Sequence, residues 1–290
     1  MEIIIRMSAG LANRMFQYSY YLYLSKQGYN VSLDNNYKPT KWAMEDIDWE
    51  RIFPNAKVKS AEKRKIYLMG GGYDWVSKIR RHYLPFTSRV IMPKTTELVP
   101  KEKLLRSIYI AGAFQNAEMV NSIEDSVCEV FRFQNFSDEK NILLAEEMKA
   151  VNSVSIHVRK GVDYLTRAVY KGTCPKDYYI KAIDYIEKKV ENPVFYVFSD
   201  NWDWVEENLS GINYKSVNWN PSIGWGNHLD MQLMSLCKYN IISNSTYSWW
   251  GALLNRNEKI VITPKNWFNE KLIEFRDVSK NIILEDWIQI

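Results

Sequence analysis

Along this chain, short apolar runs alternate with segments whose apolar residues recur every three or four positions. Ile3–Ile5 is a compact β-branched run, the mark of a buried strand. From Leu11 onward, Leu11, Met15, Tyr18 and Leu22 repeat at helical spacing, and Gly28 suits the helix end. "SIYIAG" (Ser107–Gly112) reads as another strand, and a polar helix spans roughly Asp138 to Ala150. A second, clearer series follows. "VSIHV" (Val154–Val158) is a strand, and Lys176–Val190 is a helix with Ile180, Ile183, Ile186 and Val190 turned inward. "VFYVFS" (Val194–Ser199) is a strand, followed by a short helix around Trp202–Leu209. Leu229, Leu233 and Leu236 mark a further helix, Ile241–Ile242 a strand, and a helix begins near Tyr247. "KIVIT" (Lys259–Thr263) is the last strand. Strands alternating with helices predict an α/β fold whose parallel sheets are covered on both faces. Two such units, 1–150 and 151–290, meet near residue 150 and leave a cleft between them.

In open α/β sheets, ligands bind beyond the carboxyl ends of the strands. The residues that follow each strand are therefore the candidates. After Ile3–Ile5 comes "SAGLANRMFQ", with Gly10 and Asn13 at the turn into a helix. After Val154–Val158 comes "RKGVDY", with Arg159, Lys160 and Asp163. Ser199 and Asp200 follow the next strand, and "SNSTYS", with Asn244, Ser245 and Ser248, follows Ile241–Ile242. Arg159 offers a planar, permanently charged fork for phosphate oxygens. Small donors at a helix start add to backbone N–H groups that already favour an anion. Asp200 can accept from a ribose hydroxyl or a base edge. The set suits a sugar nucleotide carrying a diphosphate. Each member also has a plainer reading. Asn244 and Ser245 are good helix caps, His157 is a satisfied core histidine, Arg159 pairs with Asp163, and Asp200 caps the helix of Trp202. The two tryptophans, Trp249 and Trp250, are packing residues.

Composition narrows the field. The 290 residues are 46% hydrophobic and 25% charged, an ordinary globular balance. The net charge of +4 gives no electrostatic case for nucleic acid. Two basic clusters, Glu62–Lys65 and Lys78–Tyr83, read as solvated faces; the alternative is a patch facing an anionic membrane or substrate. Three widely spaced cysteines fit neither a zinc site nor a disulfide framework. No leader pattern and no apolar stretch of spanning length stands out, so a reduced, cytoplasmic setting is expected. "DID" (Asp46–Asp48) matches an Asp-x-Asp metal clamp, but any acidic helix start gives that match. Gly70–Gly72 reads as a turn, lacking the lysine and the spacing of phosphate-loop and dinucleotide fingerprints.

Four stretches carry a resemblance. "GLANRMFQY" (Gly10–Tyr18) resembles the Gly-Leu-Gly-Asn-Gln-Met-Phe-Gln-Tyr opening of the family-11 glycosyltransferases, the α-1,2-fucosyltransferases. "SIHVRKGVDY" (Ser155–Tyr164) resembles their His-x-Arg-Arg-Gly-Asp-Tyr motif, and "FYVFSDNWDWV" (Phe195–Val205) their Phe-Ser-Asp-Asp segment. "DMQLMSLCKYNIISNSTYSWWGALLN" (Asp230–Asn255) is similar to their C-terminal signature over its whole length. Ala12, Arg14 and Lys160 depart from the pattern, and Val162 is an extra residue before Asp163. These departures leave the loop around Asp163 and the choice of acceptor open.

The resemblance implies a GT-B fold, two Rossmann-like domains with parallel sheets facing a central cleft. The N-terminal domain would lie on the acceptor side and the C-terminal domain would bind the nucleotide sugar. It implies GDP-fucose as donor, a terminal galactoside in a glycan or surface polysaccharide repeat as acceptor, inversion at the anomeric carbon, and no required metal or other cofactor. By the same resemblance Arg159 contacts the diphosphate with His157 supporting its strand end, and Asp200 lies near the nucleoside. Asn244, Ser245 and Ser248 line the phosphates, Asn13 faces the donor from the other domain, and Asp163 is the nearest carboxylate to act as base. A cytoplasmic enzyme of this kind leaves room for peripheral membrane contact. Two rival functions stand beside it: a transferase of another nucleotide sugar on the same fold, and a non-catalytic carbohydrate-binding protein, for which the 11 tryptophans speak.

Overall fold

The β-branched run near the N-terminus forms strand β1 (Ile3–Arg6), the centre of a sheet completed by β2 (Val31–Asp34), β3 (Val90–Ile91) and β4 (Ile108–Ile110). The computed structural model describes residues 1–35, 48–72, 74–85, 88–257, 260–269, 271–272 and 278–290, and of Asp163 only the backbone. The first sheet runs in the order β2-β1-β4-β3 and every pair is parallel. The helix Leu11–Lys26 follows β1 and buries Leu11, Met15, Tyr18 and Leu24, the spacing read from the sequence with Leu24 in place of Leu22. Gly70, in the left-handed region (φ +83), ends the helix Lys63–Leu68, and a Cβ on the next residue, Gly71, would meet the buried Tyr109 ring at 2.5 Å. The three glycines are thus a turn pressed against the sheet.

The second sheet has six parallel strands: β5 (Asn152–Val158), β6 (Pro193–Ser199), β7 (Tyr214–Val217), β8 (Tyr239–Ile241), β9 (Val261–Thr263) and β10 (Ile288–Gln289). Their order is β10-β9-β8-β5-β6-β7. Both faces of β5 are buried. Val154, Ile156 and Val158 meet Tyr179, Ile183 and Ile186 of the helix Lys176–Lys189 in an apolar cluster. Its other side chains, Ser153, Ser155 and His157, form a polar row whose hydrogen bonds are all made within the protein. Ser153 Oγ donates to the Met148 carbonyl (2.7 Å), Ser155 Oγ accepts from Asn240 Nδ2 (2.8 Å), and His157 meets Ser243. Satisfied in this way, buried hydroxyls carry little of the desolvation cost they would otherwise impose.

The chain divides into two compact units, Met1–Arg132 and Phe133–Ile290. The sequence puts the boundary near residue 150; the helix Glu139–Ala150 instead belongs to the second unit and packs on β5. Each unit is a parallel sheet with helices, so the α/β class and its two Rossmann-like halves are as expected. Four strands went unread. β2 is "VSLD", fully buried despite two polar residues, because Ser32 donates to Glu2 (2.8 Å) and Asp34 accepts from Tyr109 (2.7 Å). β3 and β10 are two residues long, and β7 carries the polar residues Lys215 and Ser216 exposed.

Candidate active site

The order of the second sheet fixes where a ligand can sit. From β5 the chain proceeds outward through β6 and β7, then crosses back to build β8, β9 and β10 on the other side. The crevice between the carboxyl ends of β5 and β8 is therefore the topological switch point, where open α/β sheets bind ligands. His157 and Ser243 span that crevice, Nδ1 to Oγ at 2.8 Å. Burial, and after it the Arg159 charge, push the His157 imidazole down to about 3, so the ring is neutral at ordinary pH. His157 is thus a core histidine that also stitches the two strand ends.

Arg159 lies one residue beyond β5. The register pairs Val158 with Ser199, which puts Arg159 level with Asp200 at the end of β6. The guanidinium and the Asp200 carboxylate form an ion pair there, with about a third (31%) of the arginine side chain still exposed. The other Asp200 oxygen accepts the Lys160 backbone N–H at 2.6 Å. Asp200 therefore orients Arg159 and does not cap the following helix. That cap is Asn201, which accepts from the Trp204 N–H (3.0 Å) and donates to the Lys160 carbonyl (2.7 Å). The Arg159–Lys160 turn is held from two sides by neighbouring residues of one loop.

Lys160 does not reach outward. Its amine donates to the Thr173 carbonyl (3.0 Å) and lies over the Tyr164 and Trp204 rings, and burial lowers its pKa. Tyr164 bonds Thr173 and donates to Asn244 Oδ1 (2.5 Å), which also accepts from the Cys174 thiol (3.3 Å). Asn244 Nδ2 donates to the Trp267 carbonyl (2.8 Å). Asn244 is thus an anchor, tying the loop after β8 to the loop after β5.

Ser245 caps the helix Thr246–Leu253, accepting from the Tyr247 N–H (3.3 Å). Ser248 is fully buried and its hydroxyl turns back to the Ser243 and Ser245 carbonyls. The polar side chains of "SNSTYS" thus fix the shape of a turn, and it is the amino-terminal end of the helix, with its positive dipole end, that this turn aims at the strand ends. Trp249 and Trp250 are buried, as packing residues should be, and Trp249 Nε1 donates to the Ile282 carbonyl (2.7 Å).

Asp230 was missed by the strand-end argument because it begins a helix, Leu229–Leu236. Burial pushes its carboxyl up to about 7, against the donation from Asn220 Nδ2 (2.8 Å), which pulls it down. Tyr247 links it to the crevice. The tyrosine ring lies 5.9 Å from the His157 ring, and its hydroxyl accepts from the Met231 N–H (2.9 Å) and donates to the Asn227 carbonyl (2.5 Å). A lone carboxylate among Leu229, Met231 and Leu233 was the available signal.

The structure thus brings His157, Arg159, Asp200, Asn244, Ser245 and Ser248 to one edge of the second sheet. Asp163 lies in the short helix Val162–Leu165, and its side chain is outside the described residues. Asn13 belongs to the first unit, where it accepts from Gln115 Nε2 (2.9 Å) and so joins the start of the helix after β1 to the segment after β4. Gln17 reinforces that junction, accepting from the Ser8 N–H (2.7 Å) and donating to the Gly112 carbonyl (3.1 Å). Among the described residues no three His, Cys, Asp or Glu side chains gather as metal ligands. Asp48 caps a short helix through the Arg51 N–H (3.3 Å), and Asp46 lies outside the described residues.

Known proteins agree with the motifs. The O-antigen biosynthesis glycosyltransferase WbnK of Escherichia coli is 30% identical over 98% of this chain and 99% of its own. The alpha-1,2-colitosyltransferase of Escherichia coli is 29% identical over 99% of this chain and 98% of its own. Galactoside alpha-(1,2)-fucosyltransferase 2 of Sus scrofa is 29% identical over 38% of this chain and 33% of its own. The model for glycosyl transferase family 11 matches residues 2–290, and the chain belongs to that family.

Proposed function

We propose that this chain transfers L-fucose from GDP-fucose, with inversion, to the 2-hydroxyl of a terminal galactoside in a glycan or surface polysaccharide repeat. The observation that carries the reading is Arg159, paired with Asp200 and partly exposed at the carboxyl end of β5, beside the switch point. The bond from the anomeric carbon to the diphosphate oxygen breaks as the acceptor oxygen attacks from the opposite face. Negative charge grows on the departing diphosphate, and a donor already in place costs no reorganisation when that charge appears. Arg159 supplies two-pronged donation there, and the helix that begins at Thr246 adds its dipole. In this reading Asn244, Ser245 and Ser248 act on the phosphates through the turn they shape, Asp200 acts through Arg159, and Asp163 takes the acceptor proton. In the same reading Asn13 also binds the donor. No metal or other cofactor is required.

A second donor deserves equal trial, because a colitosyltransferase is related to this chain over nearly its full length. The deciding experiment incubates the protein with a panel of GDP- and UDP-sugars, a colitosyl donor included, plus lactose, and reads the product linkage by NMR. An α-1,2-linked fucosyl product is expected. Turnover with a different sugar alone would reassign the donor. A protein that transfers nothing, ignores GDP and binds free glycan would be a lectin.

A further inference from the structure

The helix Trp75–Tyr83 in the first unit is turned inside out. Its polar side faces the protein: Ser77 is buried, and the Arg81 guanidinium donates to the Gly70 carbonyl and to the Gly72 carbonyl (2.7 Å). At about 100° per residue, Trp75, Val76, Ile79 and Tyr83 fall within one narrow arc on the other side. All four are exposed, Trp75 by 72% and Tyr83 by 70%. Arg80 donates to the Tyr67 and Leu68 carbonyls (3.3 and 3.1 Å), which brings those two exposed apolar residues alongside the same face. A large apolar face held outward by buried polar contacts has a use for the contact it offers.

The charge around that face is mainly positive, its acidic neighbours being Asp74 at the helix cap and Glu97 paired with Lys94. From Trp75 to Thr96 the chain carries Lys78, Arg80, Arg81, Arg89 and Lys94, and no aspartate or glutamate. Lys78, Arg81 and His82 also line an open pocket of about 400 Å³ against β3, with Ser88 and Met92 on its other walls. Trp and Tyr beside Lys and Arg are the composition of a helix that lies in a membrane interface, where anionic headgroups meet the cations and the rings enter the acyl boundary. A second copy of the chain is a poorer occupant. A two-fold contact would set the same cations against each other, and like charges across an interface oppose association.

We propose that the helix Trp75–Tyr83 seats this protein on the surface of an anionic lipid bilayer, its apolar face inserted at the headgroup level and the exposed Lys78 on lipid phosphate. This holds whichever sugar the enzyme transfers. The test is cosedimentation of the full chain with phosphatidylcholine vesicles, with and without a one-third share of phosphatidylglycerol, at low and high salt. The wild type should bind the anionic vesicles, release in high salt and leave the neutral ones alone. Trp75→Ser with Ile79→Ser should lose at least tenfold in vesicle affinity at an unchanged melting temperature, because both residues are exposed. Lys78→Ala should lose about fivefold, the worth of one cation near such a surface. Failure of the wild type to bind, equal binding to neutral vesicles, or full binding by the double variant would overturn the proposal. So would a self-association of the wild type that the double variant abolishes, which would give the face to a second copy.

Discussion

Arg159 keeps a carboxylate partner while its side chain stays partly exposed, and this combination makes its role measurable. If its donation strengthens as the leaving diphosphate gains charge, Arg159→Ala should lower kcat by about 10²–10³, or about 2.7–4 kcal/mol, while staying folded. Arg159→Lys should recover only part, because a point charge lacks the planar fork. A purely structural pair with Asp200 would instead lower the melting temperature and leave kcat per folded molecule intact. Measuring both on one preparation separates the two. Acid behaviour offers a second test at this scale. The folded His157 titrates near 3, below its ordinary 6.5, so the unfolded chain binds its proton first. Its contribution to stability is complete above 6.5 and drains away as pH falls toward 3. Asp230 has the opposite sign: raised from 3.8 to about 7, it favours the fold while protonated and loses that benefit as pH rises through 7. Asp230→Asn should therefore be more stable than wild type above pH 7, by on the order of 4 kcal/mol, with the gain vanishing below pH 4. Urea midpoints across that range, compared between the two proteins, would show a constant difference if Asp230 did not titrate this way.

The helix Thr246–Leu253 works as a wedge as well as a dipole. Trp249 and Trp250 are buried against each other, Trp249 packs on Trp287, and a Cβ on Gly251 would come within 3.0 Å of Met234 Cβ. The same packing that buries the tryptophans holds the helix start beside β5 and β8. Trp249→Ala should cost about 3–5 kcal/mol in urea unfolding, since the cavity is large and an indole partner is lost. A cost under about 1 kcal/mol would mean that the helix is set by its cap alone. The tandem tryptophans were legible as packing because a run that mixes two indoles with Gly251, Ala252 and Leu253 has no polar face to show. The cap was legible too, at Ser245. The function of Asn244 as a tie between loops was not, because its partners Tyr164, Cys174 and Trp267 lie far along the chain.

Each of the two units is a parallel sheet with a polar junction at the ends of its central strands. The proposal that a basic residue does the work of a metal is testable at this scale. Activity should persist in excess EDTA. Loss of activity restored by Mn²⁺ would return Asp46 and Asp48 to consideration as ligands, Asp48 having to leave the Arg51 N–H it now caps. Among the described residues no helix is long and apolar enough to cross a membrane.

The sequence by itself determined the alternation of strands and helices, the parallel α/β class, the residues at each strand end and the family. These are local properties. A two-residue or four-residue period fixes which side chains are buried, and a motif fixes which residue follows a strand. Tertiary structure alone decided which strand ends meet. The order β10-β9-β8-β5-β6-β7 set His157 against Ser243 and Arg159 against Asp200. It also gave the cap of the helix Trp202–Leu209 to Asn201, turned Lys160 inward over two aromatic rings, and shifted the unit boundary to Arg132. Hydrophobic periodicity carries no information on the lateral order of strands, because every buried strand of a parallel sheet presents the same apolar pattern to its neighbours. Partners across strands are therefore settled only when the sheet is assembled.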